Sequence, residues 1–224
     1  MITLTIFFIT YFIIGFFLTK DYGIAFDEDM QRDLGQNRID YIKNFFLKIF
    51  GNVQTSDVNV KIKYPEYGAL FEVFALWVEK ILNVTESRYQ FFLRHYLIFF
   101  TSFLGSIFFY FLALKRFSSW KIALLGTIFL ITSPRIFASG FFNSKDIIFM
   151  YFFIANIFFS IFFLEKPNYK NALLFALFSS MCVGIRVAGV LVPFLILFFI
   201  LIKSLRKDYR YKIKKYIFSF ILFF

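Results

Sequence analysis

Asp21, Asp27, Glu28 and Asp29 stand within nine residues of one another, just after an uncharged apolar run. Carboxylates packed that closely repel, so a fold keeps them together mainly where a proton-transfer task, a cation or a metal offsets the repulsion. The bland alternative is a hydrated loop that is merely acidic. Further along, Arg94-His95, Lys145-Asp146 and Arg186 each sit at the edge of an apolar stretch or inside one. A carboxylate such as Asp27 can take a proton from a hydroxyl, an effect worth typically about 10² to 10⁴ in rate. Arg94, Lys145 or Arg186 can stabilise charge building on a departing phosphate. Asp27, Glu28 and Asp29 are also candidate oxygen ligands for a divalent metal, with Asp27 and Glu28 the leading pair.

The elements that must position these groups are membrane-type helices. The chain is 60% hydrophobic and 40 of its 224 residues are Phe, and its mean hydropathy is +0.72. That composition excludes an ordinary soluble domain. Residues 2–19 carry no charge and are long enough, at about 1.5 Å per helical residue, to cross roughly 30 Å of hydrocarbon. No basic segment precedes them and no small-residue cleavage site follows, so they read as a retained span. Further spans are expected at about 95–114, 121–138, 147–164, 171–185 and 187–202, with the start of another at 216–224. The single cysteine, Cys182, lies in an apolar run and reads as core.

Residues 20–94 form one long polar loop that holds 11 of the 14 acids, so the acidic chemistry is concentrated there. Within it, 28–50 and 68–82 carry apolar residues at helical spacing with charges on the other side, as helices lying along a membrane surface do. Asn83-Val84-Thr85 matches a glycosylation sequon, a three-residue pattern that carries little weight. The net charge of +11 does not point to nucleic acid, because the excess lies in short segments between apolar runs. Such basic segments stay on the cytoplasmic side, which puts 115–121, 165–170 and 203–215 inside. Crossing parity then puts the acidic loop, Arg94-His95 and Lys145-Asp146 outside. A turn at Gly184–Gly189 puts Arg186 there too and spares it about 2.5 to 3.5 kcal/mol at mid-bilayer.

Taken in order, Phe26-Asp27-Glu28, Lys63-Tyr64-Pro65-Glu66-Tyr67-Gly68, Arg94-His95, Ser133-Pro134-Arg135, Asn143-Ser144-Lys145-Asp146 and Gly184-Ile185-Arg186 with Pro193 resemble the GT-C glycosyltransferases. The nearest branch is the one similar to protein O-mannosyltransferases and lipid A aminoarabinose transferases. The resemblance implies an all-α, polytopic transmembrane helical bundle whose large first extracytoplasmic loop carries amphipathic surface helices. It implies inverting transfer of a sugar from a polyprenyl-phosphate donor to a lipid, glycan or protein acceptor, at the outer face of a multi-pass protein of the bacterial inner membrane. Asp27 and Glu28 would then be catalytic, and Asp146 would shape the site as the second acid. Tyr64, Arg94, His95, Lys145 and Arg186 would contact substrate. His95 has an equally plain reading as a helix-start histidine held by a local hydrogen bond. Beyond a divalent metal at Asp27 and Glu28, no cofactor is implied.

One departure is Tyr216–Phe224, which as a helix covers only about 13 Å and cannot cross a bilayer. The chain is therefore expected to be the N-terminal part of a larger transferase. The rival from another class is a transporter or flippase for a lipid-linked or anionic substrate, which would need ionisable residues near the middle of its spans. A third reading is an inactive fragment or assembly subunit that keeps the fold without the chemistry.

Overall fold

The structure, a computed structural model, describes residues 2–50, 62–64 and 67–205. The described residues are all-α, as expected. In chain order the helices are α1 (Ile2–Leu18), α2 (Glu28–Phe50), α3 (Leu70–Ile81), α4 (Ser87–Phe117), α5 (Trp120–Thr132), α6 (Pro134–Phe142), α7 (Asp146–Glu165), α8 (Tyr169–Ile185) and α9 (Leu191–Leu205). Among the described residues, three stretches are long and apolar enough to cross a membrane: Ile2–Asp21, Ser87–Phe117 and Asp146–Glu165. A fourth would be α5 and α6 together, bent by 66° at Ser133. The bend has a local cause, since Pro134 donates no hydrogen bond and pushes the residue before it into extended backbone. Ser133 accordingly has ψ 120°. The segments expected at 51–61, at Pro65-Glu66 and at 206–224, including the last apolar stretch, lie outside the described residues.

Two compact units divide the chain. The first holds residues 1–100 and 137–148, with α1, α2, α3 and the first part of α4. Gly15 lets α1 approach α4 closely, because a Cβ there would fall inside the Phe99 ring. Phe99 in turn stacks on Phe141, 5.5 Å between centroids, and Phe141 on Tyr22 at 4.5 Å. Gly35 plays the same part between α2 and α3, where an added Cβ would come within 2.8 Å of Glu72 and 2.9 Å of Leu76.

The stop of α3 explains the sequon. Val84 N–H donates to Glu79 C=O at 3.0 Å and Asn83 N–H to Lys80 C=O at 3.3 Å, with Asn83 left-handed at φ 51°. That is a Schellman cap, in which asparagine is the usual substitute for glycine. Asn83 thus has a structural task of its own.

The second unit holds residues 101–136 and 149–224. Its helices pack mainly through aromatic rings, with Phe159 stacked on Phe178 at 4.5 Å and Phe163 on Phe175 at 5.7 Å. Gly105 admits Tyr151 against the α4 backbone. α8 ends at Ile185, Arg186 after it has extended backbone, and a short 3-10 turn, Val187–Val190, leads into α9. Gly189 lies so near the backbone of Cys182 that a side chain would not fit. Val192, Ile196 and Ile200 of α9 then share one buried cluster with Ala172 and Phe175 of α8.

Candidate functional site

The first unit contains a buried network of charges at the start of α4. Arg94 is 2% exposed and lies between two carboxylates of α3. Its Nη2 pairs with Glu72 Oε2, and its Nη1 lies 3.4 Å from Glu79 Oε1. Glu79 is shared, because Arg32 of α2 reaches its other oxygen at 3.0 Å. Glu72 is also shared: the Ser144 hydroxyl donates to its Oε1 at 2.6 Å. Buried charges survive only when paired and hydrogen-bonded in this way. The network therefore ties α2, α3, α4 and the turn before α7 to one another.

Beside it, Glu28 and His95 form a second buried pair. His95 Nε2 lies 3.0 and 3.1 Å from the two Glu28 oxygens. Glu28 Oε1 also accepts the Ala25 N–H at 3.0 Å. This is the reciprocal arm of a capping box, a glutamate reaching back across the first turn to a donor the helix cannot satisfy. Glu28 is thereby held inside the protein and fixes the turn that carries Asp27. The Asp27 carboxylate is exposed and makes no hydrogen bond or ion pair among the described residues.

A cleft of about 590 Å³ opens where α1 ends and α4 begins. Lys20, Asp21, Tyr22, Arg88, Phe92 and His95 are among the residues that line it. His95 thus has one face on Glu28 and lines the cleft as well.

The expected site residues fare differently from one another. Glu28, Arg94 and His95 come together in the first unit, but Glu28 and Arg94 are engaged with protein groups. The positive charge of Arg94 is met by Glu72 and Glu79, and these pairings hold α4 to α3. The expected metal pair does not fit a metal: Glu28 is taken by His95 and Ala25 while Asp27 faces solvent, and among the described residues no three His, Cys, Asp or Glu gather as ligands would. Lys145 lies over the Tyr67 ring, 3.1 Å from its centroid. Asp146 is exposed, and its N–H donates to Asn143 Oδ1 at 2.7 Å, the N-terminal cap of α7. Tyr64 is exposed with φ 49°, and its carbonyl accepts from Arg38 at 2.9 Å. The same guanidinium reaches the Tyr67 carbonyl at 3.3 Å, clamping this segment to α2. Arg186, half-buried, belongs to the second unit.

Lys20 and Arg88 were not among the candidates read from the sequence. A signal exists, since 88, 91, 92 and 95 recur at helical spacing and so put Arg88, Phe91, Phe92 and His95 on one face. Glu72 and Glu79, seven residues apart, likewise fall on one face of α3, among the buried Phe71, Ala75 and Leu76. No protein-family profile matches the chain, nor does any curated protein or solved structure.

Proposed function

We propose that the chain is a membrane glycosyltransferase of the GT-C kind, moving a sugar from a polyprenyl-phosphate donor to a lipid, glycan or protein acceptor on the outer side of the bacterial inner membrane. The observation that carries the reading is the cleft beside the ends of two apolar helices, where cations, a carboxylate and aromatic rings meet. A lipid-linked phosphate needs that combination, because its tail stays in hydrocarbon while its charged head must be met by cations at the boundary.

Asp27 acts as the general base. It sits one residue from Glu28, which is bound to His95 on the cleft, and its carboxylate is available to take a proton. The acceptor O–H gives its proton to Asp27 as the acceptor oxygen bonds to the anomeric carbon from the face opposite the phosphate. The carbon–oxygen bond to phosphate breaks, and the phosphate leaves with the electron pair and the configuration inverted. Cations at the cleft stabilise the departing charge.

The test uses the full chain in membranes with a panel of polyprenyl-phosphate hexoses as donors. Asp27→Asn should lower transfer by about a hundredfold or more while the amount of protein in the membrane stays the same. Turnover near the wild-type rate would remove Asp27 from the mechanism.

A further inference from the structure

We infer that the cleft at the junction of α1 and α4 binds a hydroxyl-bearing phosphate ester, with Lys20 and Arg88 meeting the phosphate and Nδ1 of His95 meeting a hydroxyl. The inference deepens the transferase reading and rests on it only for the nature of the tail.

The first support is His95 itself. It is 1% exposed, and its Nδ1 is buried with no hydrogen-bond partner. A buried polar atom left without a partner is costly, and native folds rarely keep one without a reason. Turning the ring would give up the contacts of Nε2 with both Glu28 oxygens. Nδ1 donates or accepts according to the tautomer, and a hydroxyl can meet it in either role. His95 is among the residues that line the cleft, and a ligand hydroxyl brought to its ring would supply the missing partner.

The second support is charge. Lys20 and Arg88 line the same cleft, with Asp21 the acid among its lining residues. Among the described residues neither cation forms an ion pair. Lys20 lies 5.9 Å from the Phe17 ring centre and Arg88 5.4 Å from that of Phe92. Two cations against one carboxylate leave a positive site for an anion, and an arginine is well suited to phosphate oxygens.

The third is size and lining. A cleft of about 590 Å³ is much larger than a water site and within the range of small-molecule pockets. Phe91 and Phe92 add aromatic surface against which the C–H face of a polyol can lie.

The experiment uses the purified full chain in phosphatidylcholine nanodiscs and measures binding of glucosyl farnesyl phosphate, farnesyl phosphate and glucose 1-phosphate. The two lipid probes should bind saturably. Arg88→Gln and Lys20→Gln, both at exposed positions, should each weaken them by about tenfold or more with unchanged melting temperature. His95→Gln keeps a polar atom for Glu28 but lacks one at the Nδ1 position. It should weaken the glucosyl ester while leaving farnesyl phosphate within about twofold, and His95→Asn should recover part of the loss. Glucose 1-phosphate binding as tightly as its lipid ester would support the site and assign it a soluble ligand. Absence of saturable binding, or Lys20 and Arg88 variants that bind like the wild type, would overturn the inference. Saturable, Arg88-dependent binding without sugar transfer from any donor would instead sink the transferase reading and leave the site standing.

Discussion

Arg94 carries a full charge at a position 2% exposed, and everything around it follows from that cost. Desolvating a guanidinium is repaid only if its partners are close and their own lone pairs are met. Glu72 is met by Arg94 and Ser144, and Glu79 by Arg94 and Arg32. Removing Arg94 leaves two buried carboxylates short of a partner, so Arg94→Gln should destabilise the fold by about 3 to 5 kcal/mol. Arg32 is 31% exposed on the same Glu79, and water can replace part of what it supplies. Arg32→Gln should therefore cost only about 1 kcal/mol or less. Unfolding of the two variants in detergent, followed by far-UV circular dichroism, separates these values. Equal losses would mean that the network is not the keystone its burial implies.

On the scale of the helix, α3 turns the usual arrangement inside out. Its acids Glu72 and Glu79 face the protein with Phe71, Ala75 and Leu76, while Leu70, Phe74, Trp77 and Ile81 form an exposed stripe. A helix that shows aromatic and aliphatic side chains outward, against a face held by Arg94 and Arg32, is suited to meet lipid on that side. The end of α2 has the same character. Tyr41, Ile42, Phe45, Phe46, Ile49 and Phe50 are all exposed and fall on one half of the helix, with Lys43 and Lys48 on the other. The chain has two tryptophans, so Trp120→Phe leaves Trp77 as a single reporter. Its emission should be blue-shifted and quenched by lipids brominated near the head group more than by aqueous iodide. Strong iodide quenching with a red-shifted spectrum would mean that the stripe faces water.

The same helix shows what could be read from residue order and what could not. Apolar spacing marked 28–50 and 68–82 as amphipathic helices, because a period of 3.6 is a property of the chain alone. Which side of α3 the acids would face was not legible. Glu72 and Glu79 look like a solvated edge until Arg94 and Arg32, distant in sequence, are seen against them. For the candidate site the difficulty was similar. Asp27 and Glu28 are equivalent as neighbouring acids, and only the approach of His95 makes one of them a buried clamp and leaves the other exposed. Arg94 and Arg88 look equivalent too, yet six residues of helix put one among carboxylates and the other on the cleft.

For the molecule as a whole, orientation rests on where the lysines and arginines of its short segments lie. Lys115 and Arg116 close α4, Lys121 opens α5, and Lys166 and Lys170 flank the start of α8. Translocating clustered cations is costly, so the expected place for these segments is the cytoplasmic side. Lys115 is also paired with Glu165 at 2.7 Å, so the end of α4 and the end of α7 meet within the second unit. Those two helix ends must therefore share a side of the membrane, and both basic segments are counted together. If they are inside, a cysteine replacing exposed Lys121 or Lys166 should react with an impermeant maleimide only after cells are opened. One replacing exposed Glu86 or Arg135 should react in intact cells, all in a Cys182→Ser background. Labelling of Lys121→Cys and Lys166→Cys in intact cells would put the acids of the first loop in the cytoplasm. A donor carried on the outer leaflet could then not reach Asp27, whatever the cleft itself binds.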